Sequence, residues 1–415
     1  MVAEFPFAEQ TSNELSFKER DERYERLHDW PDPTYLHSSG LRMIWKYDDV
    51  RDVLEAADPA LSNGNSLDPL VEFPRIAGTP RAIPHFVRHL VPLPAKATAN
   101  LTDDTLHKQV WDTMAGPAGH FTISRDERPQ RIEAMVEHFH HALHGLDEGI
   151  VARLDVTALS IAYAARVGGA AVGLPAADWP QVAVWSGAQS GLLGRRMRGR
   201  ELAEAVGALG QLFTVSGQAV ERSRRHRVTG FASRLHDAGV PRRVAVSAMA
   251  NSLAAGVHTV SGSIQQGVQR LLSGPGREWW DLLADQNAAA QVAVKVLQLD
   301  PGLVAWKRRA VRPMTLRSGT ELAAGPVLVM FAAANRDPAA FRNPLDLRGG
   351  GKLPLTFGFG KHVCPGKQLA NLAVEVFLRE LRELAPLARL SEEVTSANTR
   401  KPDLLFSGAD VTLTV

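Results

Sequence analysis

The chain has 415 residues, and its balance of 45% hydrophobic to 22% charged residues is that of a globular protein, which excludes a disordered chain, while a single cysteine excludes a disulfide scaffold. Lys and Arg number 47 against 45 Asp and Glu, so a formal net charge of +2 gives no overall field to recruit nucleic acid or an anionic membrane. The longest apolar run, around 326–334, reaches about ten residues, against the roughly 20 needed to span a bilayer.

Residues 1–30 interleave Glu4, Glu9, Glu14, Asp21 and Glu25 with basic residues, without the cationic start and apolar stretch of a secretory signal. A cytoplasmic protein is expected, and the lone Cys364, which can form no intramolecular disulfide, agrees with a reducing compartment. Residues 41–47 alternate apolar and polar and predict a short strand; 48–57 have helical spacing with an acidic first turn. Prolines 69, 74, 80, 84, 92 and 94 then predict a long loop over 58–95, of the kind that gates a substrate site. Apolar stripes near period 3.6 predict helices over 102–115, 127–145, 148–172, 178–194, 200–227 and 241–273. The last, weakly charged and about 45 Å long, is expected to run through the core. Helices over 277–284 and 287–299 follow, then short strands around 308–315 and 326–331, an irregular segment over 335–359, a helix over 366–384 and a C-terminal strand pair. With no internal repeat and no clean linker, 1–415 is expected to form one domain, mainly α with small β-sheets.

Residues 357–370 read FGFGKHVCPGKQLA. Gly358 and Gly360 permit a tight turn that points amides at the Cys364 sulfur, and Pro365 and Gly366 open a helix whose positive end lies behind it. A shielded thiolate of this kind suits an axial metal ligand; the plainer alternative is a buried structural cysteine before a helix start. The segment resembles the haem-binding loop of cytochrome P450, F-G-x-G-x-H-x-C-x-G-x-x-L-A, at Phe357, Gly358, Gly360, His362, Cys364, Gly366, Leu369 and Ala370. Other stretches follow in that family's order over nearly the whole chain. Residues 333–338, AANRDP, with Phe341 and Pro344, are similar to a segment of bacterial members, and Ala255, Gly256, Val257, His258 and Thr259 resemble the helix that crosses the distal face of the haem.

The resemblance implies the cytochrome P450 fold, haem b, and Cys364 as its iron ligand. It also implies haem contacts from Phe357, Gly358, Ala255 and Gly256, with His107, His362 and Arg308 (or Arg309, one residue on) at the propionates. Three departures stand out. The Glu-x-x-Arg of helix K falls on Lys295 and Gln298, with Gly349–Gly351 where its partner Arg belongs; joint replacement avoids leaving one buried charge unpaired, and suggests a rebuilt network. The distal acid is replaced by His258, with the following alcohol kept as Thr259; an imidazole titrating near pH 6.5 could relay protons, contact substrate or serve a redox-neutral reaction. Trp111 stands where a propionate Arg is usual and can donate a hydrogen bond but no charge. His138, His140, His141 and His144 are expected to form a solvated helix face, and the basic residues among 195–200 a solvated loop.

The resemblance therefore implies a monooxygenase acting with O2 on a small organic substrate, plausibly in natural-product biosynthesis. Electrons would come from a ferredoxin and ferredoxin reductase docking near Lys108, Lys352, Lys361 and Lys367. One alternative keeps the haem and runs a cyclisation, rearrangement, dehydration or group transfer using His258; a lesser one is a non-catalytic helper protein, which the intact cysteine loop argues against.

Overall fold

A computed structural model describes residues 4–7, 17–55, 61–62, 78–90, 104–146, 153–194, 197–273, 276–391, 405–408 and 410–414. Helices of six residues or more run in the order α1 (Phe17–His28), α2 (Tyr47–Glu55), α3 (Asp104–Ala115), α4 (Arg128–His144), α5 (Val156–Val172), α6 (Trp179–Gly194), α7 (Gly199–His226), α8 (Phe231–Asp237), α9 (Arg242–Leu272), α10 (Arg277–Leu282), α11 (Gln286–Leu299) and α12 (Lys367–Leu384). The strands are β1 (Thr34–Leu36), β2 (Arg42–Ile44), β3 (Leu61–Ser62), β4 (Arg153–Asp155), β5 (Trp306–Ala310), β6 (Met314–Thr315), β7 (Glu321–Leu322), β8 (Gly325–Val329), β9 (Arg389–Leu390) and β10 (Thr412–Thr414). The largest sheet has the order β1-β2-β8-β5-β3.

α9 is the axis of the helical layer. It is apolar on most sides, burying Val246, Leu253, Val257, Ile264, Val268 and Leu271 among residues of α5, α6 and α7. Each such side chain contributes about 1.5–3 kcal/mol on burial. α12 brings Leu372, Val376, Phe377 and Leu381 to the same core, with the Phe377 ring 5.3 Å from both Phe139 of α4 and Tyr163 of α5. The helix that starts just after Cys364 is thus anchored directly in the core around α9.

Several boundaries differ from those the sequence predicts. The helix expected over 148–172 begins at Val156, because Asp155 closes β4 and caps α5 by accepting from the Ala158 amide. The strand expected over 308–315 is two strands, split where Pro313 withdraws a ladder donor. The strand over 326–331 ends at Val329 and gives way to a helical turn, Phe331–Ala334. α1 has no clear apolar stripe in sequence: its buried positions are Arg20, Tyr24 and Leu27, one of them a cation. In the proline-rich stretch the described residues are not all loop, since Ile83–His85 is a helical turn that continues as a π-turn over Phe86–Leu90; prolines 69, 74, 92 and 94 lie outside the described residues. The C-terminal strand β10 pairs with β4 and β9, both outside the last 25 residues, rather than forming a pair of its own. Among the described residues no helix is long and apolar enough to cross a membrane.

Candidate cofactor site around Cys364

The loop that carries Cys364 is held by its own backbone. The Cys364 amide donates to Phe357 O at 2.8 Å and the Gly358 amide to Leu355 O at 2.8 Å, closing a tight loop. Gly358 and Gly360 have φ of +76° and +73°, and a Cβ at Gly360 would stand 2.9 Å from the Glu55 Cα, so glycine also seats the loop against the end of α2. A 3-10 turn, Gly360–His362, leads to the partly buried Cys364, and α12 opens three residues later with Gly366 at its cap. Burial pushes the Cys364 thiol up, while the Gly366 amide hydrogen bond and the Lys367 charge pull it down. A thiol in that balance ionises readily only when a cation is brought to it.

Beside the loop lie two histidines and an arginine. His107 of α3 is buried, with Nε2 3.1 Å from Nδ1 of His362 and its ring stacked on Trp111 at 4.4 Å. The Trp111 indole donates to Val363 O at 2.8 Å and so ties α3 to the cysteine loop. β5 alternates buried and exposed over its last three residues, so that Arg308 points inward at 4% exposure and Arg309 outward. The Arg308 Nη1 donates to Lys307 O at 3.0 Å, its buried Nε has no partner, and no carboxylate pairs with it among the described residues. Burial lowers its pKa to about 9. His362 falls to about 3 through burial, then through the nearby charges of His107, Arg308 and Lys361. Burial also lowers His107. The acid nearby, Asp104, is engaged by Lys361 at 2.9 Å. The buried Arg308 guanidinium, with no carboxylate partner among the described residues, is completed by an anionic ligand, to which the neutral His107–His362 pair beside it can add hydrogen bonds. Together with a shielded sulfur, they fit the propionates and iron of haem b.

On α9, Ala255 is exposed and Gly256, His258 and Thr259 half-exposed, although neighbours Leu253, Ala254 and Val257 are buried. A Cβ at Gly256 would meet nothing within 4 Å. This stripe leaves room for a flat group against the helix. The Thr259 hydroxyl donates to Ala255 O at 2.6 Å, and the His258 ring meets the Phe406 ring edge to face at 4.9 Å.

The helix-K positions form a different arrangement. Lys295 donates to Pro344 O at 3.2 Å. Gln298 and Asn335 exchange side-chain-to-backbone hydrogen bonds, both 2.9 Å, and Asn335 also engages Thr356 and Leu355 just before the cysteine loop. Next to this neutral pair lies a cluster the sequence reading did not identify: Asp300, fully buried, meets Arg20, Arg270 and Arg336, with Asp21 bridging Arg270 at 2.9 Å and Arg336 at 3.0 Å. Its one sequence signal was Arg336 in the AANRDP segment.

The remaining charged groups lie outside the site. His140, His141 and His144 are exposed, His138 is half-buried, and His140 and His141 face Glu380 and Glu137. Of the four expected docking lysines, Lys108, Lys352 and Lys361 already pair with Asp112, Asp48 and Asp104, so that face is closer to neutral than the sequence implies. Of the 195–200 cluster, residues 195 and 196 lie outside the described residues, while Arg200 pairs with Glu204 on an exposed turn.

No protein-family model matches the chain. Among curated proteins it is 29% identical over 218 residues to cytochrome P450 144 of Mycobacterium tuberculosis, covering 51% of this chain and 50% of that one. It is 29% identical over 228 residues to mycinamicin IV hydroxylase/epoxidase of Micromonospora griseorubida, covering 53% and 56%. The chain thus spans about half the length of the curated relatives it matches. Among solved structures, cytochrome P450 CREJ in complex with (4-ethylphenyl) dihydrogen phosphate superimposes with a TM-score of 0.80 at 19% identity, over 98% of this chain and 99% of that one. The chain has the cytochrome P450 fold over nearly its whole length. In sequence it is similar to bacterial cytochromes P450 over about half of its length.

Proposed function

We propose that the protein is a haem-thiolate monooxygenase that consumes O2, two electrons and two protons to place one oxygen atom in a small organic substrate and release the other as water. The observation that carries this reading is that Cys364, held in a tight backbone loop, lies in one region with the buried Arg308 guanidinium, which has no carboxylate partner among the described residues, and with the His107–His362 pair. Cys364 would be the iron ligand, with Phe357 and Gly358 against the ring from the loop and Ala255 and Gly256 from α9. Arg308, His107 and His362 would hold the propionates. Haem b bound there supplies O2 activation, and electron donation from the thiolate favours O–O cleavage.

The chain's own contribution is position and proton supply. α12 fixes the sulfur and α9 the opposite face, both through the shared core. Thr259 holds its hydroxyl by donating to Ala255 O, with an oxygen lone pair still able to accept from a distal ligand. His258 would carry protons in place of a carboxylate, as an imidazole can near neutral pH. A natural product is the substrate class favoured by the relative named for mycinamicin IV, electron delivery by a ferredoxin and its reductase is what the resemblance to cytochrome P450 implies, and a lone cysteine fits a cytoplasmic setting.

The test is the reduced, CO-bound absorption spectrum of the purified protein. A Soret band at the thiolate position that disappears in Cys364→Ala is expected; a colourless protein, or a band unchanged by the substitution, overturns the reading. The presence of His258 favours a second reading, a redox-neutral rearrangement or dehydration on the same haem. Turnover under argon without reductant separates the two.

A further inference from the structure

A short segment near the C-terminus, Leu405–Gly408, lies against the middle of α9, at His258 and Gly262. It is bound there by backbone: the Val304 amide donates to Leu405 O at 2.8 Å, the Ser407 amide to Gly302 O at 2.9 Å, and Leu303 and Phe406 form an antiparallel bridge. Two glycines allow this approach. A Cβ at Gly262 of α9 would collide with Ser407 O, and one at Gly302 with Thr259 O. The Ser263 hydroxyl completes the joint, donating to Thr259 O at 2.8 Å and accepting from the Gly302 amide at 2.7 Å. The buried Ser407 hydroxyl has no hydrogen-bond partner, so main chain and not this side chain sets the position of the segment.

The consequence falls on Phe406. It is 93% removed from solvent, and its ring plane lies at 74° to that of His258 with the centroids 4.9 Å apart. Such an edge-to-face pair restricts an imidazole that packing on α9 alone leaves half-exposed. We propose that Phe406 is the positioning residue for His258: the clamped segment holds the Phe406 ring, and the ring holds the imidazole in one orientation beside Thr259. This rests on the reading that His258 serves the distal face.

The experiment uses protein labelled with 13C at histidine, in which the His258 Cε1–H resonance is assigned by its absence in His258→Gln. In the wild type that resonance is displaced by the Phe406 ring current. Phe406→Leu is expected to abolish the displacement and to lower product formed per O2 consumed by about two- to tenfold, the range for losing one edge-to-face aromatic contact. Phe406→Tyr, which keeps the ring, is expected to retain both properties. Phe406→Met gives the same test should the leucine variant fold poorly. An unchanged His258 resonance in the folded leucine or methionine variant overturns the proposal, as does a tyrosine variant that behaves like leucine. The resonance is read without haem, so a failure of the thiolate spectrum would leave this part of the result standing.

Discussion

Buried positive charge lies at two places among the described residues and is completed in opposite ways. Around Asp300, three arginines share two carboxylates, and Arg336 also covers the Tyr24 ring at 4.5 Å. Around Arg308, the guanidinium has no carboxylate partner among the described residues, and the one acid near its neighbouring imidazoles, Asp104, is paired with Lys361. Desolvating charge is costly in both places, so the first group is compensated by the chain itself and the second calls for a ligand. Paired buried charge here belongs to the frame, and the buried charge at Arg308 belongs to the proposed cofactor site.

The largest effect separates the two. Asp300→Asn removes the carboxylate that Arg20, Arg270 and Arg336 share and is expected to cost about 3–5 kcal/mol in urea unfolding of the haem-free protein. Arg308→Met in the same measurement should cost nothing or stabilise, since it removes a buried charge with no carboxylate partner among the described residues. Equal losses would mean that the chain itself compensates the Arg308 charge and would erase the distinction.

Acid should sharpen it. Despite desolvation, which opposes ionisation, the charges of Arg270 and Arg336 lower the Asp300 pKa to about 2. A carboxylate depressed in the folded state adds stability that is complete above its unfolded pKa, near 4, and is lost as pH falls from about 4 through about 2. The shift corresponds to about 2–3 kcal/mol. Wild-type unfolding free energies at pH 5 and pH 2.5 should differ by most of this amount beyond the difference seen in Asp300→Asn.

The third effect belongs to the ligand side. Arg308→Met removes a charge-assisted contact of about 1.5–3 kcal/mol, so haem transfer to apomyoglobin should show affinity weakened by roughly 10- to 150-fold. Arg309→Met, outward-facing on the same strand, should leave haem affinity unchanged.

The difference in legibility between the two groups has a physical origin. The cysteine loop is one contiguous segment in which each glycine and the cysteine has a local reason, so Phe357, Gly358, Gly360, His362 and Cys364 could be read without coordinates. The long helix α9 was equally legible, because its buried surface repeats at the helical period. The Asp300 cluster draws Arg20 and Asp21 from α1, Arg270 from α9 and Arg336 from beyond β8, and no spacing in sequence brings those residues together. Its charged inward face also hid α1. Arg308 lay between: the family pattern allowed either of two arginines, and only the alternation of β5 shows which side chain is buried.

Trp111 offers the finest test of how the frame reaches the ligand. The indole does two separable things: its ring stacks on His107, and its N–H donates to Val363 O one residue before Cys364. Trp111→Phe keeps an aromatic face but removes the donor, leaving the Val363 carbonyl to water or unpaired. The expected cost is about 0.5–1.5 kcal/mol of stability. Because the lost bond ties α3 to the cysteine loop, the same substitution should also speed haem loss. Trp111→Arg would instead add a charge beside His107, raising electrostatic demand for a propionate while breaking the stack. If the phenylalanine variant loses stability without faster haem loss, Trp111 belongs with the frame that Asp300 exemplifies; if haem loss quickens, it belongs with Arg308.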